Sequence, residues 1–202
     1  MNNMMFLEDY QETFQYQLTE SYDAKKGFYI RGIVSRAGVL NKNKRLYPLS
    51  VMEEAVSSIQ NDVKSGGFVG ELDHPPTPKI NVNKISHKIT KLEMASDGAV
   101  LAEMIVLDTS EGRELKKLIE GGVRLGVSTR ALGGVKPSRQ LGEGVVEVLP
   151  GLKMKAIDVV FDPSAGDDGR PDFVAESVTE SGIVLGYSPK FERVWSDIFG
   201  GK

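Results

Sequence analysis

The sequence predicts a mixed α+β protein, and three observations carry that expectation. Residues 85–92 alternate apolar and polar positions as a strand does, and 99–107 read as their hairpin partner across the Ser96-Asp97-Gly98 turn. Two segments, one opening near Ser50 and one near Asp108, place apolar residues at helical spacing between capping residues and terminating glycine pairs. The remaining apolar positions fall in short runs punctuated by Gly and Pro, as strands do. With 202 residues, the chain is long enough for one domain with a substantial core.

Taken in order, residues 1–24 form a polar, acidic lead-in in which Leu7, Tyr10, Phe14 and Leu18 recur at helical spacing. They read equally as a docking amphipathic helix and as a frayed terminus. The folded domain is expected over residues 25–170, beginning with a strand from Phe28 to Val34 and a basic loop from Ala37 to Arg45. Pro48 and Ser50 then open a helix, with Ser50 as N-cap, Glu53 completing a capping box, and Met52, Ala55, Val56 and Ile59 as its buried stripe. Gly66-Gly67 ends it. A short strand follows from Phe68 to Asp73, stopped by Pro75 and Pro76, so His74 stands at a strand end.

After the hairpin, Asp108 is expected to cap a second helix with Glu111 three residues on and Leu115, Leu118 and Ile119 as the buried stripe. Gly121-Gly122 terminates that helix directly before a strand carrying Val123, Leu125, Val127 and Thr129 on one face and Gly126, Ser128 and Arg130 on the other. The apolar face enters the core, and Ser128 is expected to be presented outside it. Further strands are read at 145–149 and 152–163. In the second, Ile157, Val159 and Phe161 share one face while Asp158 and Asp162 project from the other. Residues 171–202 read as a Gly/Ser-rich linker followed by a short helix with Phe191, Val194, Trp195 and Ile198, docking on the domain or on a partner.

Composition narrows the chemistry. Cysteine is absent, which removes disulfides, thiol catalysis and cysteine-ligated metals, and His74 and His87 are the only histidines. No metal or cofactor motif is present: there is no phosphate loop and no dinucleotide fingerprint. A net charge of -3 gives no basis for nucleic acid or anionic lipid as a partner. The first 24 residues contain no Lys or Arg and no continuous apolar run, so neither a secretory signal nor a spanning segment is expected, and a cytoplasmic protein is the default. Serine chemistry at neutral pH would then need one of the two histidines, or a lysine, as base.

A strand-end histidine, a strand serine and a strand carboxylate are the three roles of serine hydrolysis: nucleophile, base, and the group that fixes the base's tautomer. They lie on three separate strands, so sequence spacing leaves open whether they meet. His87, on a face with Ile85 and Ile89, reads as a hydrogen-bonded histidine of a half-buried strand.

GELDHP around His74, ISHKI around His87, GVSTRALGG around Ser128 and AIDVVFDPSA around Asp158, in that order, resemble the prohead core (capsid maturation) proteases of tailed bacteriophages. The resemblance spans roughly residues 27–170. That family is similar in fold to the herpesvirus assembly proteases, which implies a mostly antiparallel β-barrel with surrounding helices. The resemblance implies His74 as general base, Ser128 as nucleophile and Asp158 as the third member, with Asp162 and His87 kept as alternatives for that place. Arg130 is expected to support the oxyanion. Implied substrates are scaffold, core and capsid proteins in the immature head within the host cytoplasm, cut after a glutamate with an aliphatic residue two positions earlier. Leu18-Thr19-Glu20-Ser21 fits that pattern, which makes residues 1–20 a candidate propeptide removed by self-cleavage between Glu20 and Ser21. Val174-Ala175-Glu176-Ser177 and Val178-Thr179-Glu180-Ser181 are looser matches, and Leu118-Ile119-Glu120-Gly121 falls within an expected helix. Self-association into a homo-oligomer is left open. The rival classes are a non-catalytic structural or scaffolding head protein of the same fold and, last, a small-ligand binding module.

Overall fold

The computed structural model describes residues 5–11, 19–20, 27–41, 43–73, 75, 77–123, 125–161, 174–179, 182–186 and 196–200, with the strands at 5–11, 19–20, 174–179 and 182–186 described by their backbone. In chain order the elements are β1 (Met5–Gln11), β2 (Thr19–Glu20), β3 (Phe28–Arg36), β4 (Arg45–Leu46), α1 (Leu49–Ser58), α2 (Gln60–Ser65), β5 (Val69–Glu71), β6 (Ile85–Met94), β7 (Ala99–Val106), α3 (Ser110–Glu120), β8 (Leu125–Gly133), β9 (Val135–Pro137), β10 (Val146–Val148), β11 (Lys153–Phe161), β12 (Val174–Thr179) and β13 (Gly182–Gly186). A five-stranded sheet runs β2-β3-β7-β6-β5, and a three-stranded sheet runs β1-β8-β11, both antiparallel throughout.

The expected hairpin forms the centre of the larger sheet. Gly98 takes a φ of +84°, and the Asp97 side chain accepts from the Ala99 N–H, so the turn is fixed by the residue types that marked it. The two sheets meet where β5 ends. Leu72 bridges Val159 in parallel, and Asp73 N donates to the Val159 carbonyl at 2.9 Å. Between the sheets lies one core, to which the large sheet gives Ile30, Val34, Ile89 and Met104, and the small sheet Val127, Ile157 and Val159. Met52, Ala55 and Val56 of α1 and Leu115 and Ile119 of α3 close its sides. The mixed class and the antiparallel predominance are as expected from the sequence. Among the described residues, strand pairing does not close into a ring, and no helix is long and apolar enough to cross a membrane.

Several elements depart from the sequence reading, each for a local reason. The Ser50–Glu53 capping box does not form: Pro48, with φ fixed at -58°, is the N-cap residue, and the helix starts at Leu49, which places Ser50 inside the first turn. In α3 the cap is Thr109, not Asp108; its hydroxyl accepts from Gly112 N at 3.0 Å and donates to the Ile85 carbonyl at 2.7 Å. A tertiary hydrogen bond to β6 thus selects between adjacent capping residues, and Asp108 pairs with Arg113 instead. The lead-in segment Met5–Gln11 is a strand, not a helix, paired along β8 from Met5↔Gly133 to Gln11↔Val127. Seven residues cannot sustain an isolated helix, whereas the open edge of β8 offers a full row of backbone partners.

Within the expected C-terminal linker, β12 and β13 pair as a hairpin. A one-turn helix at residues 196–199 then docks on the outer face of the large sheet, where Ile198 and Phe199 pack against Ala95, Ala99 and Leu101. Lys91 Nζ stands 5.3 Å from the Phe199 ring centroid. Phe191, Val194 and Trp195, expected in the same helix, lie outside the described residues.

Candidate active site

The antiparallel register of β8 and β11 sets Ser128 opposite Asp158 and Arg130 opposite Ala156. Because side chains alternate along a strand, Ser128, Arg130 and Asp158 share the face turned away from Val127, Ile157 and Val159. The parity read from the sequence is correct, but the expectation that this face meets solvent is not. Ser128, Arg130 and Asp158 each have 0% relative exposure. Strand period assigns residues to faces without revealing what covers them, and here both faces are covered. The Ser128 hydroxyl has no hydrogen-bond partner among the described residues. It is a buried polar group of the kind most native structures avoid outside functional sites.

Beside it lies a cluster of three buried charges. Asp158 Oδ1 accepts from Arg130 Nη2 at 2.9 Å and from the Glu71 backbone N–H at 2.9 Å. Asp158 Oδ2 stands 2.6 Å from Arg130 Nε, as an ion pair that lies off the line of the N–H bond. Arg130 Nη2 is also 3.1 Å from Glu71 Oε1, and Nη1 donates to the carbonyls of Thr77 at 2.9 Å and Lys79 at 3.3 Å. Both Nη nitrogens of the guanidinium are therefore committed to protein oxygen, while the Nε–H, ion-paired with Asp158, has no hydrogen-bond partner among the described residues. The arginine holds Asp158 on one side and the 72–81 loop on the other. That loop carries His74, which itself lies outside the described residues, as do Asp162 and Ser21. Glu20 is in β2, opposite Phe28 of β3.

His87 is fully buried on β6 and uses both ring nitrogens. The Ile157 carbonyl, 2.8 Å from Nε2, can only accept, so Nε2 carries the proton and Nδ1 accepts from the Ser86 hydroxyl at 2.8 Å. Desolvation by burial lowers its pKa from 6.5 to about 4, opposed by the bond to Ile157 and the negative charge of Asp158. The ring also fills the space under Gly70, where a Cβ would overlap both the imidazole and the Ile157 carbonyl. His87 is thus a neutral strut between β5, β6 and β11.

The unfolded chain titrates this histidine near its ordinary value, so below that pH the unfolded state binds more protons than the folded one. His87 is expected to contribute its stability fully above about pH 6.5 and to lose it as the pH falls through about 4, a loss of about 3 kcal/mol. Urea unfolding of wild type and His87→Gln across that range checks this. The difference in pH slope between the two proteins should disappear above the ordinary histidine pKa, and equal slopes throughout would contradict it.

Glu71 is the site residue that the sequence reading passed over. It is 1% exposed, and besides facing Arg130 its Oε1 accepts from the Asn81 N–H at 2.7 Å. The signal was a carboxylate in a short apolar strand, Val69-Gly70-Glu71-Leu72, which needs a buried cation to be stable there. Arg130, alone on a predicted strand face, was the available partner.

Residues 14–182 match the family described as prohead core protein serine protease, and the chain belongs to that family. The prohead core protein protease of Enterobacteria phage T4 is 36% identical over 173 residues, which is 80% of this chain and 79% of that protein. The solved structure of the bacteriophage T4 capsid assembly protease superposes with a TM-score of 0.72 at 28% identity, over 80% of this chain and 100% of that one. The resemblance carried by the four sequence motifs is thereby borne out.

Proposed function

We propose that this chain is the serine endopeptidase of a phage prohead, cleaving scaffold, core and capsid proteins inside the immature head during maturation. Ser128 is the nucleophile, His74 the base and Asp158 the third member. The observation that carries this reading is the pairing of Ser128 with Asp158 on adjacent buried strands, in a chain of the prohead core protease family. His74 takes the Ser128 proton as Oγ attacks the scissile carbonyl, then gives it to the departing amine, leaving an acyl-enzyme that water hydrolyses by the same steps. Asp158 keeps the imidazole oriented and stabilises its protonated form. Arg130 acts by positioning Asp158 and the His74 loop, and other donors, such as backbone N–H groups, serve the oxyanion. The finer architecture belongs to the same proposal: the Leu72–Val159 bridge between the sheets supports a barrel-like arrangement akin to the herpesvirus assembly proteases.

The experiment is cleavage of a purified head scaffold protein by wild type, His74→Ala and Asp158→Asn, with folding followed by circular dichroism. Folded variants that no longer cut are the expected result. The complete burial of Ser128 favours a second reading, a non-catalytic head protein of the same fold, and undiminished cutting by His74→Ala would dismiss the triad and move that reading forward.

Cleavage after Glu with an aliphatic residue two positions earlier is part of the proposal, and so is self-cleavage after Glu20. A cut there severs β1, which lies along the serine strand with Tyr10 opposite Ser128, from the rest of the domain. Intact-mass measurement should show loss of residues 1–20 from wild type and none from Ser128→Ala. Equal loss from both would assign the cut to another protease.

A further inference from the structure

We propose that Glu71 is a positioning residue for the hydrolytic reaction, fixing through Arg130 and Asn81 the loop that presents His74. The inference rests on the reading of His74, Ser128 and Asp158 as the triad. Its basis is the way the 72–81 loop is held. At the start of the loop, the Glu71 backbone N–H is bound by Asp158. In the middle, the Thr77 and Lys79 carbonyls are bound by Arg130 Nη1. At the end, the Asn81 N–H is bound by Glu71 Oε1, the same oxygen that faces Arg130 Nη2. The Glu71–Arg130–Asp158 cluster thus grips both ends and the centre of the segment, and the Glu–Arg pair supplies the centre and the far end.

The loop's own composition makes that grip necessary. Pro75, Pro76 and Pro78 remove three backbone donors, so fewer of the segment's own amides can hold it, and the Thr77 and Lys79 carbonyls are tied to the guanidinium as well. Asp73, immediately before His74, is held at a φ of +69°, a left-handed conformation that a non-glycine residue keeps only where its surroundings over-determine it. That strained residue directly precedes His74 in the chain. A second feature points the same way. Asp158 alone would neutralise Arg130, and burying a further carboxylate is costly unless it does something else. Closing the loop on Asn81 is what Glu71 adds.

The test measures kcat and KM for scaffold cleavage by wild type, Glu71→Gln, Glu71→Ala and Ser128→Ala. Glu71→Gln keeps the shape and a neutral acceptor for Asn81 but loses the charge-assisted bonds, so kcat should fall about tenfold with KM within about twofold. Glu71→Ala should lose about a hundredfold in kcat, so that the glutamine variant rescues part of the loss. Thermal unfolding and labelling of Ser128 by a fluorophosphonate, expressed per folded molecule, separate misfolding from misplacement. Should Ser128→Ala be inactive while Glu71→Gln cuts at the wild-type kcat, or loses activity only in proportion to its unfolded fraction, Glu71 has no positioning role and the triad stands. Should Ser128→Ala cut normally, the triad falls and takes this proposal with it.

Discussion

Ser128→Ala is expected to lower scaffold cleavage by about ten-thousand-fold or more while leaving the protein as stable as wild type, or more stable. The two halves of this result have one origin. The hydroxyl is buried with no partner among the described residues, and an unpaired hydroxyl in that position costs about 1–3 kcal/mol. Alanine removes it without opening a large cavity, so the thermal midpoint should hold or rise. A serine kept for packing or for a hydrogen bond would behave in the opposite way, with activity retained and stability reduced. Parallel measurement of cleavage and thermal unfolding separates the two, and a variant that is both active and less stable would contradict the nucleophile assignment.

Arg130→Ala is expected to be the most damaging substitution to the fold, by about 3–5 kcal/mol. It leaves Glu71 and Asp158 as two buried carboxylates without their cation and also frees the Thr77 and Lys79 carbonyls. Arg130→Lys should rescue little, because one ammonium cannot reach oxygens that the planar guanidinium meets on several sides. Asp158→Asn, which keeps shape and removes one charge, should be milder in stability than Arg130→Ala. Chemical denaturation of the three variants gives the order. Wild-type stability in Arg130→Ala would mean that the cluster does not hold the loop.

Much of this molecule was legible in its sequence, and the failures share a cause. The hairpin around Ser96-Asp97-Gly98, both helical segments and the face shared by Ser128 and Arg130 followed from local periodicity and turn chemistry, and the structure agrees except that the first segment breaks at Ile59 into α1 and α2. What periodicity cannot supply is the neighbour. It placed Asp158 on the right face of β11 and Ser128 on the matching face of β8, but expected Ser128 to be presented outside the core, because nothing local announces that β5 and its loop lie over that face. It passed over Glu71 for the same reason: a lone acid in a strand looks like surface until its cation is known. The caps moved by a residue or two because Thr109 gains a bond to β6, and Pro48 fixes where α1 begins. Met5–Gln11 reads as helical spacing in isolation and becomes a strand only because β8 has an edge to fill.

The β1–β8 pairing has a further consequence in terms of concentration. While the chain is intact, β1 competes for the β8 edge as an intramolecular ligand, at an effective concentration on the order of millimolar for a short tether. A cut after Glu20 turns the same seven-residue strand, together with β2, into a separate peptide that must bind at its actual concentration. Its contacts are unchanged, but its occupancy of the edge falls with dilution. Severing one peptide bond would therefore vacate the strand edge beside Ser128 without any rearrangement of the domain that carries it.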